Sequence, residues 1–580
     1  MTPTFSAIAS FSGPGEAGGL SSPSRRRQGT GTVGTHSPAS TPPATGRTGP
    51  VAADPITLAV IQAGWTSAAE EMFAVLRKTA MSPIIHEVLD VGTGVTDGDG
   101  NLVGSGAGIP SFVGVLDKAV RRILEIHDSF GPGGVRDGDV FITNDPTYGG
   151  VTHLNDVVVA EPVFHAGVRI AWVASIGHWS DIGGMTPGSM SVAAREIYQE
   201  GVRLPAVRLF DAGRPVTPVF DIIAANSRLP AFASGDLWAQ IAAGRRAAAQ
   251  LRQMAATYGL DAYNAALDAL FDRSERQARS GLRALPQGDY AIEEEQDDGA
   301  IWRARITIGT EAFRVDLRDN PKQRAAPHNT SRDGAVIASQ MLFKALTGPS
   351  LPTTQASFRP LDVITEPGTV FHAEDPAPHG FYFETRIRLY DMLWRCLARA
   401  FPERLPAGHF GTIGGTVVAG VHPETGRSYT MVEPQMGGWG ATANRDGLDC
   451  MYSTSHGDTF NCPVEICEAR YGLDVAWKRM NSRSAGGAGQ GRHSGGRGLT
   501  ICYRPRGQAT VAVGFSRHRL PVWGLAGGHD GGTNGLTVIR SNGDREDYGF
   551  ASDLVVAAGD SLVIRTANGG GWGSPSNRAG

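Results

Sequence analysis

The chain contains 580 residues, of which 41% are hydrophobic and 19% are charged, and its formal net charge is −4. This length allows a large buried core and predicts at least two domains in a globular protein. The near-neutral charge argues against binding to nucleic acid or to an anionic membrane surface, and no apolar run approaches the roughly 20 residues that a membrane span requires.

Residues 1–53 are predicted to form a disordered N-terminal tail. They are rich in Ser, Thr, Gly and Pro, so they cannot bury enough apolar surface to offset the entropy lost on folding. The segment also lacks the hydrophobic core of a secretion signal. The five cysteines are too sparse for a disulfide framework, and no second pair completes a zinc site with Cys462 and Cys467. We therefore expect reduced thiols and a cytoplasmic protein.

Residues 54–285 are predicted to form an N-terminal domain of mixed helices and strands. Asp54 and Pro55 suit an N-cap and a first helical residue, and apolar residues follow at helical spacing. Two alternating strands flank a hairpin turn at 97–100. The other predicted elements are an amphipathic helix over 111–130, a strand over 138–146, a short helix over 191–201 that ends at its glycine, and long helical segments over 234–283 with a break near Tyr258 and Gly259.

Residues 286–580 are predicted to form a β-rich, glycine-rich C-terminal region. A β-meander follows Gly288, helices are predicted over 334–347 and 388–401, and glycine-rich loops with short strands begin at 408. The boundary is placed near 285, and a further boundary is considered near 495. Because no regular βαβ alternation or solenoid repeat occurs, the predicted fold class is α+β, with a mixed multi-layer N-terminal catalytic region and a β-rich C-terminal region.

The stretch from Asp145 to Met190 contains the clearest chemical pattern. His153-Leu-Asn-Asp156 and His178-Trp-Ser-Asp181 have the same spacing. Imidazoles and carboxylates that converge on one point would form a site for Zn²⁺, Mn²⁺ or Fe²⁺. The neighbouring residues look like strands, in which positions three apart face opposite sides, so each pair requires a turn at a strand end. The glycines suited to such turns are Gly149, Gly150, Gly177, Gly183 and Gly184.

A simpler interpretation of each pair is an imidazole hydrogen-bonded to a local carboxylate, since the chain has 15 histidines. If metal binds, Asp181 is a candidate ligand, an orienting partner of His178 or a general base. Asp90 is a candidate for the same site, with a turn aspartate as the alternative. Glu196 and Glu200, four residues apart on a predicted helix, are interpreted as a solvated face.

Several common catalytic motifs are absent from the sequence. The chain has no Gly-Lys dipeptide and therefore no P-loop, and it has neither a G-x-S-x-G elbow nor an HExxH pair. The glycine clusters at 437–440, 484–491 and 568–573 lack the strand-then-helix context of a phosphate loop, so we interpret them as tight turns. Neither ATP binding through a Walker motif nor α/β-hydrolase chemistry is expected.

Several long blocks, in order from residue 54 to the C terminus, point to one protein family. They are NDPTYGGVTHLNDVVVAEPVF, GHWSDIGGMTPGSM, REIYQEGVRLPAVRLF, SGDLWAQIAAGRR, GGWGATANRDGLD, NCPVEICEARYGL, SRSAGGAGQGRHSGGRG and GGGWGSP. These blocks resemble the hydantoinase B/5-oxoprolinase family. That family includes B-type subunits of ATP-dependent N-methylhydantoinases, 5-oxoprolinases and caprolactamases, and related subunits of acetone and acetophenone carboxylases.

The resemblance implies a metal-dependent B-type subunit of an ATP-dependent cyclic amide hydrolase. A hydantoinase A-like partner, and not this chain, would bind ATP and phosphorylate the lactam or imide oxygen of the small-molecule substrate. The metal, Zn, Mn or Fe, would lie on His153, Asp156 and His178, with Asp181 and Asp90 as nearby catalytic residues and Asp181 as proton acceptor. We expect a hetero-oligomer with a homodimeric core.

Two other functions stay open at the level of sequence. The chain could belong to an ATP-dependent ketone carboxylase, in which the metal stabilises an enolate and carboxy-phosphate is the electrophile. It could also be a non-catalytic scaffold that holds the hydantoinase A-like partner. Bicarbonate dependence separates the carboxylase from the hydrolase, and the absence of any metal affinity would favour the scaffold.

Overall fold

A computed structural model describes residues 54–128, 134–457, 459–482 and 489–577. The predicted disordered tail, residues 1–53, lies outside these ranges. The described residues have the predicted α+β class. Their helices are α1 (Pro55–Thr79), α2 (Pro83–His86), α3 (Pro110–His127), α4 (Thr217–Asn226), α5 (Pro230–Arg283), α6 (Arg332–Thr347), α7 (Tyr382–Ala398) and α8 (Val464–Arg470). None of these helices combines the length and the apolarity of a membrane span.

The strands of the described residues form four sheets. In chain order they are β1 (Val91–Asp97), β2 (Leu102–Gly108), β3 (Val140–Thr143), β4 (Asp156–His165), β5 (Val168–His178), β6 (Val207–Asp211), β7 (Arg214–Pro215), β8 (Gly288–Glu295), β9 (Ile301–Ile308), β10 (Phe313–Asp316), β11 (Leu361–Ile364), β12 (Gly415–Val421), β13 (Ser428–Glu433), β14 (Leu473–Met480), β15 (Leu499–Pro505), β16 (Ala509–Gly514), β17 (Gly535–Ile539), β18 (Arg545–Tyr548), β19 (Phe550–Val556) and β20 (Ser561–Arg565). The sheet orders are β2-β1-β5-β4-β3-β6-β7, β11-β10-β9-β8, β13-β12-β16-β19 and β14-β15-β20-β17-β18.

Helix α1, the β1–β2 hairpin and the break near Gly259 are confirmed. The Asp54 side chain accepts a hydrogen bond from the backbone N–H of Thr57 and caps α1, with Pro55 as its first residue. The β1–β2 hairpin follows. Helix α5 breaks where predicted, because Gly259 has a φ of 78°, a value that favours glycine.

Strands β4 and β5 form the centre of the first sheet and are buried on both faces. On β4, Val157 and Val159 belong to a core that includes residues of α1 and α5. Val158 and Ala160, which point the other way, pack with α3. On the helix side, the Gln240 side chain of α5 donates to the carbonyl oxygen of Val157 at 2.9 Å. The ends of β4 and β5 are therefore held rigidly.

The prediction of a short helix over 191–201 is wrong. Only Ile197–Gln199 form a single 3₁₀ turn. The N–H of Ile197 donates to the distant carbonyl of Pro376, and the N–H groups of Arg195 and Glu196 donate to the Gln199 side chain. These partners occupy the amides that an α-helical ladder would use. The prediction that Glu196 and Glu200 form a solvated face is also wrong, because Glu196 is exposed but Glu200 is only 2% exposed.

Helix α7 begins at Tyr382, six residues before the predicted start. Its first turns bury polar side chains, among them Glu384, Arg386 and Arg388. Apolar periodicity cannot detect a helix whose buried face is charged. The helix over 334–347 and the meander after Gly288 are confirmed as α6 and the sheet of β8 to β10.

The apolar core is continuous across the predicted domain boundary near 285. Residue 285 lies between α5 and β8. One hydrophobic cluster nevertheless contains Ile61 and Val157 from before this position and Val418, Tyr503 and Ile564 from after it. The continuous core does not mark a boundary at 285. The predicted domains 54–285 and 286–580, and the further boundary near 495, stay predictions. All five cysteines are free thiols.

Two glycine clusters pack backbone against backbone in the C-terminal region. A Cβ added at Gly438 would lie 2.0 Å from the carbonyl oxygen of Gly496 and 2.4 Å from the nitrogen of Gly569. The N–H of Gly569 also donates to the carbonyl of Gly496. Glycine is therefore required at 438 by close approach of the main chain. Most of the third predicted cluster, 484–491, lies outside the described residues.

Candidate metal centre

The three predicted metal ligands lie at adjacent strand ends. Asp156 is the first residue of β4, and His178 is the last residue of β5 and its direct antiparallel partner. His153 lies in the turn before β4, where its carbonyl accepts the N–H of Asp156. This turn depends on Gly150, which has a φ of +68° and no room for a Cβ beside Lys118. Gly177, also predicted to form a turn, lies within β5 instead.

Their side chains converge on one point. One ligand atom from each of His153, Asp156 and His178 lies within 4.8 Å of the other two. The imidazole centroids of His153 and His178 are 5.2 Å apart, and Nε2 of His153 is 3.3 Å from Oδ1 of Asp156. We call these three residues the triad. Two nitrogens and one oxygen form a suitable donor set for Zn²⁺, Mn²⁺ or Fe²⁺.

Two buried polar atoms of the triad are available to bind an additional group. Oδ1 of Asp156 and Nδ1 of His178 are buried and have no hydrogen-bond partner among the described residues. Buried polar atoms in native proteins are normally paired. A cation at the centre would satisfy both atoms, so the residues present fit a divalent metal.

Asp156 is oriented by two hydroxyl groups. Its Oδ2 accepts hydrogen bonds from Thr152 Oγ1 at 2.5 Å and from Tyr382 Oη at 3.0 Å. Burial, and then the charge of Asp156, raise the pKa of Tyr382 well above its usual value, which keeps this hydroxyl a donor. Because Oδ2 is occupied, Oδ1 is the oxygen left for a cation.

His153 is oriented through the main chain of a distant loop. Its Nδ1 lies 3.1 Å from the carbonyl oxygen of Gly380, and an Nδ1–H that donates there leaves the Nε2 lone pair for a metal. The loop is fixed by the buried carboxylate of Glu200. Its two oxygens accept the N–H groups of His379 at 2.8 Å and Gly380 at 2.6 Å.

The electrostatics favour the protonation states that metal ligands require. Burial, assisted by His153, lowers the pKa of His178 to about 4, so its imidazole is neutral at physiological pH. Burial opposes the charge of Asp156, but the neighbouring His153 and His178 hold its pKa below the usual range. A neutral imidazole and an ionised carboxylate can bind a cation without first losing a proton.

The triad borders a cavity of about 40 Å³. Asp90 and His456 also line this cavity. Asp90 precedes β1, and its Oδ1 is buried without a partner among the described residues. Burial and the charge of Asp156 raise the pKa of Asp90 well above its usual value. Both ring nitrogens of His456 are likewise unpaired within the described structure.

Asp181 is not brought to this cavity. Its Oδ1 accepts the N–H groups of Gly183 and Arg228, and its Oδ2 accepts the N–H of Gly188 and Nη1 of Arg228. Among the described residues, those that line the cavity do not include Asp181. The carboxylate therefore fixes the loop after β5, and the geometry does not favour the predicted role as proton acceptor.

Residues 54–575 match the profile of the family described as Hydantoinase B/oxoprolinase. The chain belongs to this family. It is 30% identical over 548 residues to the beta chain of the caprolactamase of Pseudomonas jessenii, an alignment that covers 90% of this chain and 92% of the relative. It is similar to the crystal structure of the ATP-dependent caprolactamase from Pseudomonas jessenii, with a TM-score of 0.84, 26% identity, and coverage of 91% of this chain and 93% of that chain. A nucleotide-free acetone carboxylase structure, with a TM-score of 0.82 and 17% identity, covers 91% of this chain and 76% of that chain and shares the fold.

Several site residues of this hydantoinase B family member are not predicted from its sequence. Tyr382 and Gly380 contact the triad from more than 200 residues away, and His456 comes from a third segment. None of them belongs to a motif with a fixed chemical spacing. These residues are distinguished only by being polar and buried beside the triad. Burial of this kind cannot be read from the sequence.

Proposed function

We propose that this chain is the metal-dependent subunit of an ATP-dependent cyclic amide hydrolase. In this proposal a hydantoinase A-like partner phosphorylates the oxygen of a lactam or imide, and this chain opens the activated ring. Family membership supports the reaction class, and the names of the relatives support a multi-subunit enzyme that uses ATP. The observation on which the proposal depends is the convergence of His153, Asp156 and His178 with ligand atoms left unpaired.

The protein groups around the triad have distinct tasks in this reaction. A divalent ion bound there would supply Lewis acidity and would lower the pKa of water. The Gly380 carbonyl and the Tyr382 hydroxyl hold His153 and Asp156 in the orientation that binding requires. Burial excludes bulk water and therefore strengthens the electrostatic interactions within the site.

Asp90 is the better placed of the two predicted catalytic carboxyl groups. It lines the cavity, whereas the oxygens of Asp181 are occupied by amide groups and Arg228. Burial and the charge of Asp156 raise the pKa of the Asp90 carboxyl group, which favours its protonated form. Within the proposal, water adds to the activated ring carbon, Asp90 gives its proton to the ring nitrogen as the C–N bond breaks, and hydrolysis of the resulting acyl phosphate releases inorganic phosphate.

The cavity must open before a cyclic amide can reach the triad. Its volume of about 40 Å³ admits water but is far below the roughly 300–1,000 Å³ of a small-molecule pocket. A five- or seven-membered ring is several times larger than a water molecule. The proposal therefore includes a rearrangement of the cavity wall when partner or substrate binds.

The test is co-expression of the full chain with an A-type partner. The purified complex is incubated with ATP and with hydantoins, 5-oxoproline, caprolactam or simple ketones, each with and without bicarbonate. We expect ring opening and ADP formation that do not require bicarbonate. His153→Ala and His178→Ala should abolish this activity, while the matched control His165→Ala, at the opposite end of β4, should retain it.

Two results would contradict the proposal. Bicarbonate-dependent consumption of a ketone, without ring opening, would identify a carboxylase. Full activity of the His153→Ala complex, together with a metal-free wild-type chain, would identify a scaffold.

A further inference from the structure

Arg386 is a buried cation that forms no ion pair within the described residues, although its charge partly offsets the raised pKa of Asp90. It lies on α7 and is only 1% exposed. Its Nε and Nη1 are buried and make no hydrogen bond within the described residues. Its guanidinium carbon lies 5.2 Å from the ring centroid of Tyr382, a cation–π contact that cannot satisfy the N–H groups. Fully buried arginines are almost always paired.

His456, on the cavity wall, is also buried and also lacks hydrogen-bond partners for its side chain among the described residues. It is 5% exposed, and both of its ring nitrogens are buried without partners among the described residues. Burial, and then the charge of Arg386, lower the pKa of His456 to about 3. The ring is therefore neutral, with one N–H to donate and one lone pair to accept.

His456 lines the cavity, whereas Arg386 lies behind its wall and contacts Tyr382, which does line it. Tyr382, which contacts Arg386, donates its hydroxyl hydrogen bond to Asp156. His456 lines the cavity together with the triad, but it does not belong to the group of ligand atoms within 4.8 Å of one another. His456 therefore faces the ligand of the site and is not a fourth member of the triad.

We propose that Arg386 and His456 form an anion subsite that binds a phosphoryl oxygen of the activated substrate. The inference rests on the proposed function, in which the ring reaches this chain in phosphorylated form. A guanidinium with free N–H groups matches the oxygens of a phosphoryl group, and the imidazole N–H supplies a further donor. The cavity, about 40 Å³ in volume, is lined by His456 but not by Arg386, so the phosphoryl group reaches both residues only when the cavity opens.

Inorganic phosphate is the probe, and the full chain is tested with and without Mn²⁺. Calorimetry measures phosphate affinity, electron paramagnetic resonance measures Mn²⁺ affinity, and ³¹P relaxation reports whether phosphate lies beside the bound Mn²⁺. Arg386→Met should weaken phosphate binding roughly 10- to 100-fold, the loss of one or two charged hydrogen bonds. Arg386→Lys and His456→Asn should weaken it less, and Mn²⁺ affinity should not change.

Thermal stability separates ligand binding from a structural role. Replacing an unpaired buried charge by an apolar side chain should leave the melting temperature unchanged or raise it. The control is Arg399→Met, an exposed arginine at the end of the same helix, which should change neither measurement.

The outcomes distinguish this inference from the proposed function. Unchanged phosphate affinity in Arg386→Met, or a lowered melting temperature, would make Arg386 a structural counter-ion of Asp90 and overturn the subsite. A chain that binds phosphate through Arg386 but takes up no metal would contradict the proposed function and retain the subsite. A chain that binds Mn²⁺ but no phosphate would overturn the subsite and retain the metal site of the proposed function.

Discussion

Two groups of charged side chains are buried in this molecule, and they differ in how far they satisfy one another. In the ion network of Glu294, Arg388, Asp391 and Arg517, each charge faces an opposite one. Nη2 of Arg388 donates to Oε1 of Glu294 at 3.0 Å, and Nη2 of Arg517 donates to Oδ2 of Asp391 at 2.8 Å. In the triad and around it, a carboxylate oxygen, an imidazole nitrogen and a guanidinium have no partner in the described structure.

The contrast is sharpest between two arginines of α7. Arg388 and Arg386 are two residues apart and both are buried, but Arg388 forms ion pairs with Glu294 and Asp391 and Arg386 forms none within the described residues. Removing one member of a buried ion pair leaves an uncompensated charge and destabilises the fold, whereas a charge that is unpaired in the native protein is maintained at a cost in stability that function must explain. Single unpaired atoms also occur in the network, at Oε2 of Glu294 and Nε of Arg517, so the feature that sets Arg386 apart is the lack of any ion pair within the described residues.

The largest expected effect is the loss of metal binding when a triad ligand loses its charge. Asp156→Asn retains the shape of the side chain and an oxygen for Thr152 and Tyr382, but it removes the anionic ligand. We expect affinity for Zn²⁺ or Mn²⁺ to fall by about a thousandfold or more, roughly 4 kcal/mol, as measured by competition with a chelator. A variant that keeps its metal would show that the triad is not the ligand set.

Asp181→Asn is the matched comparison for that experiment. The same change at Asp181 breaks hydrogen bonds that hold the loop after β5. It should lower the free energy of unfolding by about 1–3 kcal/mol and leave metal affinity within about threefold of wild type. A large loss of metal affinity would restore Asp181 as a ligand and contradict the geometry described above.

Breaking the ion network should damage folding and spare the metal site. Arg388→Met leaves Glu294 and Asp391 buried without one of their cations, at a cost of about 3 kcal/mol or more. The measurement is the shift of the denaturant midpoint, with Arg399→Met as the exposed control. If the two variants are equally stable, burial of the network does not matter and the contrast with Arg386 disappears.

A smaller effect is expected at Glu200, which acts on the triad only through the main chain. Glu200→Gln replaces one of the two oxygens that accept the amides of His379 and Gly380, so the carbonyl that orients His153 shifts. Loss of an orienting partner typically reduces metal affinity by about 10- to 100-fold. Glu196→Gln, in the same 3₁₀ segment but exposed, should have no effect, and equal effects in both variants would refute the positioning role.

The sequence predicts those parts of the site in which partners are close along the chain. His153 and Asp156 share one turn, and His178 lies on the next strand, so the two His-x-x-Asp patterns indicate the strand ends and three side chains that converge there, while Asp181 of the second pattern lies outside the group. Helix α1 and the break at Gly259 depend on local residues and are predicted for the same reason. Local signals suffice wherever local contacts determine the structure.

Long-range contacts explain what the sequence does not predict. Glu200 has the i, i+4 spacing of a solvated helical face, but its real partners are amides about 180 residues away. Arg388 interrupts the apolar period of α7, and although its counter-charge Asp391 lies on the same helix, Glu294 comes from β8. A buried charge carries no local signature, since its environment is assembled only on folding.

The smallest expected effect concerns a paired but half-exposed imidazole, His518, beside Asp297 in the turn after β8. Nδ1 of His518 is 3.2 Å from Oδ2 of Asp297, and this hydrogen bond raises the pKa of His518 above its usual value although burial opposes it. The stabilisation is therefore fully present below the unfolded-state pKa of about 6.5 and is lost as the pH rises through the higher folded-state value. His518→Gln should lower stability by about 1 kcal/mol at pH 5.5 and by less at pH 9, measured as denaturant midpoints against the exposed control His529→Gln. If His518→Gln lowers stability by the same amount at both pH values, His518 contributes packing and not charge. The importance of paired charges for stability would then be limited to the fully buried network.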